Sequence, residues 1–316
     1  MTIVSSAPGK LILFGEHASS RGKPAIVFSV NSRLTVILKE HNYPNKNILL
    51  TSRDFNVQRA EYPSGRLNIV SKVIDIFFEE TLLNPEQFQL IIKSRIKLGF
   101  GSSAAVIASV LGALNSYYKT NFSNRELLRL GIKANFAIKG YGSGLDIAAS
   151  IYGGLIKYQV DLEPEHLPFE NLELIVGNTG KKAPSGPIVK SVKEMEETNP
   201  KETQEIFNEI EQITNNAEQA IKQNDLQKIG QLMNENQELL RKLDVSSDVI
   251  EEMILSALNA GAIGGKISGA GIGDNILVLV PSEKREQVIT ALNKTKGKAL
   301  HYIQIEKNGL MVSSEK

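Results

Sequence analysis

A glycine-serine segment, GFGSSAA at 99–105, stands between a predicted strand at 88–93 and a predicted helix at 103–117. Glycines let the backbone bend sharply and approach a ligand, and the first N–H groups of a helix favour phosphate. The segment therefore predicts a strand, a phosphate-binding turn and a helix in succession. The hydroxyls of Ser102 and Ser103 can add hydrogen bonds to phosphate, or one of them can ligate Mg²⁺. The alternative is a serine-capped helix that binds nothing.

Two other nucleotide-binding motifs do not fit this sequence. The run Gly99-x-Gly101-x-x-Ala104 matches a dinucleotide fingerprint, but that fold needs an acidic residue about 20 positions later. The corresponding stretch, 117–121, reads YYKTN and leads into a predicted helix. The pattern GxxxxGK[ST] does not occur in the sequence, which excludes a Walker-type phosphate loop.

Composition narrows the class of substrate. The 316 residues include 36 Lys+Arg and 35 Asp+Glu, so the basic excess expected of a nucleic-acid-binding protein is missing and we expect a small-molecule substrate. The sequence has no cysteine, so catalysis must use oxygen and nitrogen side chains. The apolar runs are too short to cross a bilayer and the N-terminus lacks the features of a secretory signal. We expect a cytoplasmic protein without a membrane partner, and a homodimer is left open.

The order of predicted elements indicates an α+β protein with two domains, because strands and helices mix without a regular βαβ repeat. An acidic, proline-bearing stretch at 161–169 is the predicted boundary, which gives domains at 1–165 and 166–316. The N-terminal half predicts strands at 11–14, 25–30, 33–39 and 88–93, a β-type run at 151–160, and helices at 67–78, 103–117 and from Ser123, where Ser123 and Glu126 have capping-box spacing. The C-terminal half predicts strands at 172–176, 276–280 and 299–305, helices at 206–221, 229–243, 249–260 and 285–292, and a glycine-rich loop at 264–273.

Three further features are candidate site elements. The second glycine segment, KISGAGIGD at 266–274, can form an anion-binding nest or allow close packing of two elements. In GYGSGLDIAA at 140–149, Asp146 is a candidate general base or metal ligand, although on these residues alone a helix N-cap is favoured. Asn135 and Asn236 are polar residues on apolar helix faces, where a hydrogen-bond bridge is favoured over a group that faces a site.

Taken together, the motifs resemble those of the GHMP small-molecule kinases. SAPGKL at 6–11 with FGEHA at 14–18, GFGSSAA at 99–105 and KISGAGIG at 266–273 occur in the order and spacing of that superfamily, and the resemblance covers nearly the whole chain. Within it the sequence most resembles mevalonate kinases, while GSGLDIA at 142–148 and the Gly-Asp pair at 273–274 resemble phosphomevalonate kinases. The resemblance implies an N-terminal domain like the second domain of ribosomal protein S5 and a ferredoxin-like C-terminal domain, with ATP and the acceptor in the cleft between them.

The resemblance also implies roles for individual residues. Asp146 would take the proton of the acceptor hydroxyl, and Lys10 would lower the pKa of that hydroxyl and stabilise charge. Ser103 would ligate Mg²⁺. The residues that would bind ATP are Gly99, Gly101, Ser102, Ser103, Ala104, Gly269 and Gly271. Those that would bind the acceptor are Glu16, His17, Gly144, Ser185 and Ala270.

Several positions depart from the family pattern, and the loop at 95–101 lacks the proline commonly found before its first glycine. Mevalonate kinases usually have a glutamate 11 residues before the catalytic aspartate as a second metal ligand, and here that position is Asn135, a neutral and weaker ligand. The resemblance predicts ATP-dependent phosphorylation of the 5-hydroxyl of mevalonate.

Other functions stay open at this point. The acceptor can instead be a 5- or 3-phosphomevalonate, for which Lys181, Lys182, Arg21 and Lys23 are candidate phosphate-binding cations. Homoserine or a sugar as the acceptor, a decarboxylase of the same superfamily and a non-catalytic relative are the remaining alternatives. Retention of Lys10, Asp146 and both glycine segments argues against loss of catalysis.

Overall fold

A computed structural model describes residues 1–44, 47–97, 99–168 and 172–315, without the side chains of 300–302. Leu98, before the first glycine segment, and Phe169, at the end of the predicted boundary, lie outside the described residues. The strands are β1 Thr2–Phe14, β2 Ala25–Glu40, β3 Ile48–Ser52, β4 Val57–Glu61, β5 Phe88–Ser94, β6 Leu155–Tyr158, β7 Glu165–Leu167, β8 Leu174–Asn178, β9 Gly264–Ser268, β10 Asn275–Leu279, β11 Lys298–Ile303 and β12 Met311–Glu315. The α-helices are α1 Asn68–Thr81, α2 Ser102–Tyr118, α3 Asn124–Lys139, α4 Leu145–Tyr152, α5 Ser185–Thr198, α6 Pro200–Lys222, α7 Leu226–Lys242, α8 Asp248–Asn259 and α9 Arg285–Asn293.

One compact unit comprises Met1–Lys10, Ser29–Gly154 and Glu306–Lys316. In its sheet, β12 pairs antiparallel with β1, β5 pairs antiparallel with β2 and parallel with β3, and β4 completes a hairpin with β3. Helices α1 to α4 pack on one another. Helix α2 is central to this unit because it is rich in Ala, Val and Leu and is buried around most of its circumference.

Local sequence signals explain where α3 begins. Ser123 is its N-cap, the Glu126 backbone N–H donates to the Ser123 hydroxyl, and the Ser123 backbone N–H donates to the Glu126 carboxylate at 2.8 Å. This is the capping box that the spacing predicts, and the prediction is confirmed.

The other compact unit comprises Leu11–Phe28 and Leu155–Ile305. Its four-stranded antiparallel sheet has the order β11-β8-β10-β9, which is 4-1-3-2 in chain order and therefore ferredoxin-like, as the resemblance implies. Within the same unit, the first residues of β2 pair with β6, which also pairs with β7.

Helix α7 covers the outer edge of β9 with side-chain amides. Asn234 accepts a hydrogen bond from the backbone N–H of Gly265 at 3.0 Å and donates to the Ile263 carbonyl at 3.2 Å. Gln237 accepts from the N–H of Ile267 at 2.9 Å. Two side chains one turn apart thus satisfy the edge of the strand that leads into the second glycine segment, much as a further strand would.

Several sequence predictions need correction. The predicted loop at 264–273 begins as strand β9, because Gly264–Ser268 pairs with β10. The predicted β-type run at 151–160 contains the end of α4 before β6 begins. Helix α5 and strands β3, β4, β7 and β12 were not predicted. No helix within the described residues is long and apolar enough to cross a membrane.

The contacts also divide the chain differently from a single boundary at 165/166. Residues 11–28 belong with the C-terminal unit because the start of β2 pairs with β6, and Ile12 exchanges hydrogen bonds with Ser268. The last residues belong with the N-terminal unit because β12 pairs with β1.

Candidate active site

The first glycine segment leads into a helix, as the sequence predicts. Gly101 is the N-cap of α2 with φ 73°, and Gly99 has φ 78°, conformations that favour glycine. Ser102 and Ser103 occupy the first turn, where Ser102 is exposed and Ser103 is half-buried. A methyl group on Gly101 would lie 2.9 Å from Lys10 Cε, and the Lys10 backbone N–H donates to the Phe100 carbonyl at 2.9 Å. The positive φ of Gly101 favours glycine here, and the close approach of the Lys10 side chain adds to that preference.

Lys10 forms an ion pair with Asp146. Lys10 Nζ lies 2.9 Å from Asp146 Oδ1, and the lysine side chain is 8% exposed against 41% for the aspartate. Burial raises the pKa of the Asp146 carboxyl, but the positive charges of Lys10 and Lys139 outweigh it, so the pKa lies below its usual value. The N-cap interpretation of Asp146 is wrong, because Gly144, with φ 89°, caps α4 and Asp146 is the second residue of that helix.

Asn135 supports the turn before α4. It is 9% exposed, and its Nδ2 donates to the Tyr141 carbonyl at 3.1 Å. A methyl group on Gly142 would lie 2.8 Å from the same Nδ2, which accounts for glycine at a position with φ 117°. The hydrogen-bond bridge predicted for Asn135 is confirmed, and its amide is committed to the loop that precedes Asp146.

Asn236 does not form the hydrogen-bond bridge that its position on an apolar helix face predicts. Its side chain is fully buried on α7, and neither its amide nitrogen nor its carbonyl oxygen has a hydrogen-bond partner in the described part of the chain. The bridge prediction is therefore wrong for Asn236.

In the other unit, the turn after β1 is fixed to β9 and to the residues that follow it. Glu16, 1% exposed, accepts a hydrogen bond from the buried ammonium of Lys266. His17, with φ 61°, shares a hydrogen bond of 2.9 Å between Nε2 and the Ala270 carbonyl. Burial lowers the pKa of His17 to about 4, so the ring is neutral at pH 7. Because a carbonyl oxygen can only accept, Nε2 carries the proton and Nδ1 is an acceptor.

The second glycine segment is held from two sides. Ile272 donates its backbone N–H to the Val245 carbonyl at 2.7 Å, and a methyl group on Gly271, which has φ 99°, would overlap that carbonyl oxygen. Asp274 donates its N–H to the Lys181 carbonyl at 2.9 Å. The segment 179–184 that carries this carbonyl leads directly to Ser185, the first residue of α5. Ser185 therefore follows a loop that is bonded to the second glycine segment.

The predicted site residues fall into two groups, one in each unit. The N-terminal unit contains Lys10, Gly99, Gly101, Ser102, Ser103, Ala104, Gly144 and Asp146. The C-terminal unit contains Glu16, His17, Ser185, Gly269, Ala270 and Gly271. Within the described residues, no group of three or more His, Asp or Glu side chains could hold a metal ion by itself.

Sequence reasoning missed two lysines next to these groups. Lys266 is a charged residue within the short apolar strand β9, and a charge at such a place was the available signal. Lys139 lies one helical turn after Asn135 on α3, and that spacing places both on the same face.

Comparison with known proteins gives consistent matches. Sequence models of two families, described as GHMP kinases N terminal domain and GHMP kinases C terminal, match residues 68–154 and 217–298. A mevalonate kinase of Pyrococcus furiosus is 32% identical over 99% of this chain and 98% of its own length. The L. major mevalonate kinase, crystallised in complex with R-mevalonate, has a TM-score of 0.76 at 25% identity, over 96% of this chain and 95% of that chain. The Lin0012 protein from Listeria innocua has a TM-score of 0.90 at 21% identity and covers 100% of both chains, which shows a shared fold.

Proposed function

The chain belongs to the GHMP kinases and has their two-domain fold, and from that premise we propose that it transfers the γ-phosphoryl group of ATP to the 5-hydroxyl of mevalonate. A kinase of this family uses ATP as the phosphoryl donor. The observation that supports the proposal most directly is the ion pair of Lys10 with Asp146, formed beside the glycine segment that opens α2. Full-length similarity to mevalonate kinases favours mevalonate as the acceptor.

In the proposed reaction, Asp146 accepts the proton of the acceptor hydroxyl as the oxygen attacks the γ-phosphorus. The lowered pKa of Asp146 keeps the carboxylate ionised at neutral pH. Lys10 stabilises the negative charge that develops on the attacking oxygen. Phosphoryl transfer needs mainly positioning and charge neutralisation, so no covalent nucleophile on the protein is required.

The donor phosphates are assigned to the backbone of the two glycine segments. In the first, the residues are Gly99, Gly101, Ser102, Ser103 and Ala104, at the positive end of α2. In the second, they are Gly269 and Gly271, whose positive φ angles turn the backbone so that successive N–H groups can face an anion.

We assign Mg²⁺ to the nucleotide, with Ser103 as its protein ligand. Bound Mg²⁺ neutralises phosphate charge. Mg²⁺ in kinases keeps several waters and is held by substrate phosphates with one or two carboxylates, so a serine hydroxyl would leave most of its coordination to the nucleotide and water. The hydroxyl of Ser103 lies at the start of α2, while the amide of Asn135 is committed to the Tyr141 carbonyl. Asn135 therefore takes no part in the proposed metal site.

The residues proposed to bind the acceptor alcohol differ in how they could contact it. The ring of His17 is buried, and its Nδ1 can accept a hydrogen bond from that alcohol. Gly144, Ala270 and Ser185 are the other residues proposed to bind the alcohol. Glu16 is 1% exposed and paired with Lys266, so we assign it a supporting role instead of direct contact.

The pairing of basic residues disfavours a phosphorylated acceptor. Arg21 donates to the Glu196 carboxylate at 2.8 Å and lies 4.4 Å from the ring centroid of Phe207. Lys23 pairs with Glu211 at 2.6 Å. Two of the four candidate phosphate-binding cations are thus engaged with carboxylates within their own unit.

Lys181 and Lys182 are exposed and adjoin the second glycine segment, so a phosphomevalonate is the second candidate acceptor. If that candidate is correct, Lys181→Gln/Lys182→Gln will raise the KM for the phosphorylated acceptor and leave the KM for ATP unchanged.

The deciding experiment measures Mg-ATP-dependent ADP release with mevalonate, its 5- and 3-phosphates, homoserine and galactose in parallel. Phosphorus NMR then assigns the product. We expect turnover of mevalonate to the 5-phosphate. Turnover of a phosphorylated acceptor alone would replace the proposal with the second candidate, and CO₂ release would identify a decarboxylase.

A further inference from the structure

The ion pair of Lys266 with Glu16 is fully buried and has no part in the proposed phosphoryl transfer. Both side chains are 0% exposed, and Lys266 also donates to the Ile267 carbonyl at 2.6 Å. Removing two charges from water is expensive, and replacing such a pair by apolar residues of similar volume is often neutral or stabilising. Stability alone therefore does not account for charged residues at these two positions.

The pair acts on the segment that carries His17. Glu16 is bound to Lys266 on β9, and His17 is bound to Ala270 two residues after that strand ends, so neighbouring residues are anchored to the same stretch of chain. The 2.9 Å hydrogen bonds between Ser268 and the backbone of Ile12 add a third link. All of these contacts lie within the C-terminal unit.

The backbone conformation of His17 explains why a directional contact at the neighbouring Glu16 matters. Its φ of 61° is uncommon for a residue with a side chain and is strained, so the surrounding contacts must hold it. An apolar pair at 16 and 266 would fill the same volume without fixing direction. A hydrogen-bonded ion pair fixes the carboxylate, and with it the backbone of the next residue.

We infer that Lys266 is a positioning residue which, through Glu16, holds His17 against Ala270 of the second glycine segment and thereby sets the affinity for the acceptor alcohol. The inference rests on the proposed function, in which His17 contacts the acceptor. It assigns Lys266 no contact with the reacting atoms.

The test uses a double variant, because either single substitution leaves an unpaired buried charge and can prevent folding. Lys266→Met/Glu16→Leu removes both charges and is expected to fold. We expect the KM for mevalonate to rise at least ~10-fold, while kcat and the KM for ATP stay within about threefold. A merely structural pair would lower stability without this selective change in KM.

A matched control exists in the same unit. Lys157 pairs with Glu218 at 2.6 Å, and Glu218, which is 8% exposed, also pairs with Lys222 at 2.6 Å. Lys157→Met/Glu218→Leu removes an ion pair that links β6 to α6 and leaves Lys222 paired with Glu165, so the KM for mevalonate should not change. An equal rise in KM in both double variants would overturn the inference, since it would reflect general loosening of the unit.

A second readout does not depend on turnover. Nitrogen NMR of the His17 ring, assigned with His17→Gln among the four histidines of the chain, should show the Nε2–H tautomer in the unmodified protein. In Lys266→Met/Glu16→Leu we expect a mixture of tautomers, because the ring is no longer held at Ala270. An unchanged ring signal or an unchanged KM for mevalonate would overturn the inference. If the unmodified protein does not turn over mevalonate, the proposed function fails, and the ring signal alone decides whether Lys266 positions His17.

Discussion

Substituting Lys10 with Met tests the central ion pair. Methionine keeps much of the length and the apolar stem of lysine but removes the ammonium. Lys10 Nζ lies 2.9 Å from Asp146 Oδ1. At that distance, the attraction between unit charges is about 1.4 kcal/mol in bulk water and about 6 kcal/mol at an effective dielectric constant of 20. Because the Asp146 side chain is 41% exposed, solvent screening keeps the attraction well below the upper of these two values.

We expect Lys10→Met to lower kcat/KM by at least ~10²-fold, because Lys10 is proposed to stabilise the attacking oxygen in the transition state and a factor of 10² corresponds to roughly 2.7 kcal/mol of that stabilisation. The measurement is coupled-assay kinetics on protein whose circular dichroism and thermal unfolding show an intact fold. A rate within about tenfold of the unmodified protein would refute the role assigned to Lys10.

The pH profile gives an independent check with a definite sign. Burial raises the pKa of Asp146 and two lysines lower it, so removing Lys10 leaves only Lys139 to oppose burial and the pKa rises. The acid limb of kcat/KM, which reports the base of the free enzyme, should move to higher pH. Lys139→Met is the matched control and should move the limb in the same direction by less. A limb that stays in place or moves to lower pH in Lys10→Met would contradict the assignment of Asp146 as the base.

Four further substitutions, one of them a control, test other contacts. Asp146→Asn should lower kcat by at least ~10²-fold with folding intact, as stopped assays on the purified variant would show. Asn135→Glu loses the N–H that donates to the Tyr141 carbonyl and buries a carboxylate, so the free energy of unfolding should fall by about 1–3 kcal/mol. Metal binding should not become tighter. Tighter Mn²⁺ binding, measured by electron paramagnetic resonance, would favour the metal-ligand role instead. Gly271→Ala should raise the KM for ATP at least ~10-fold because the methyl group overlaps the Val245 carbonyl, whereas the methyl group of Gly269→Ala meets nothing within 4 Å and should do less damage.

Elements with strong local signals could be predicted from the sequence. Helix α3 combines a capping box with a regular apolar stripe, and α6 and α7 have long stripes, so their positions follow from residues close together in the chain. Helix α5 was missed because only Ile188 and Val192 are buried along its 14 residues, which is too few for a clear stripe. Strand β12 was missed because its pairing partner, β1, lies about 300 residues away in sequence.

The candidate site could be predicted only in part, again because local sequence patterns do not reveal contacts between distant residues. The motif at 99–105 indicated a phosphate-binding helix start from local residues alone. The role proposed for Asp146 did not follow in this way, because the identity of a helix cap depends on which residue leaves the helical conformation, and Gly144 does so here. Lys266 and Glu16 are 250 residues apart, and local patterns carry no information about such pairs.

The hydrogen bond of Asn135 gives a physical reason for an amide at the position where related kinases usually have a glutamate. A glutamate at this position could bind a metal, but a carboxylate has no N–H to donate to the Tyr141 carbonyl, so it could not form the bridge that the amide forms. The charges acting on Asp146 are then two lysines, Lys10 and Lys139, against its single carboxylate. With a neutral residue at 135, the local charge around Asp146 is net positive. A net positive charge attracts a polyphosphate, so fewer metal-bound carboxylates are needed to bind it. Loss of a metal ligand at 135 is therefore compatible with retained kinase activity, provided that both lysines keep their charge.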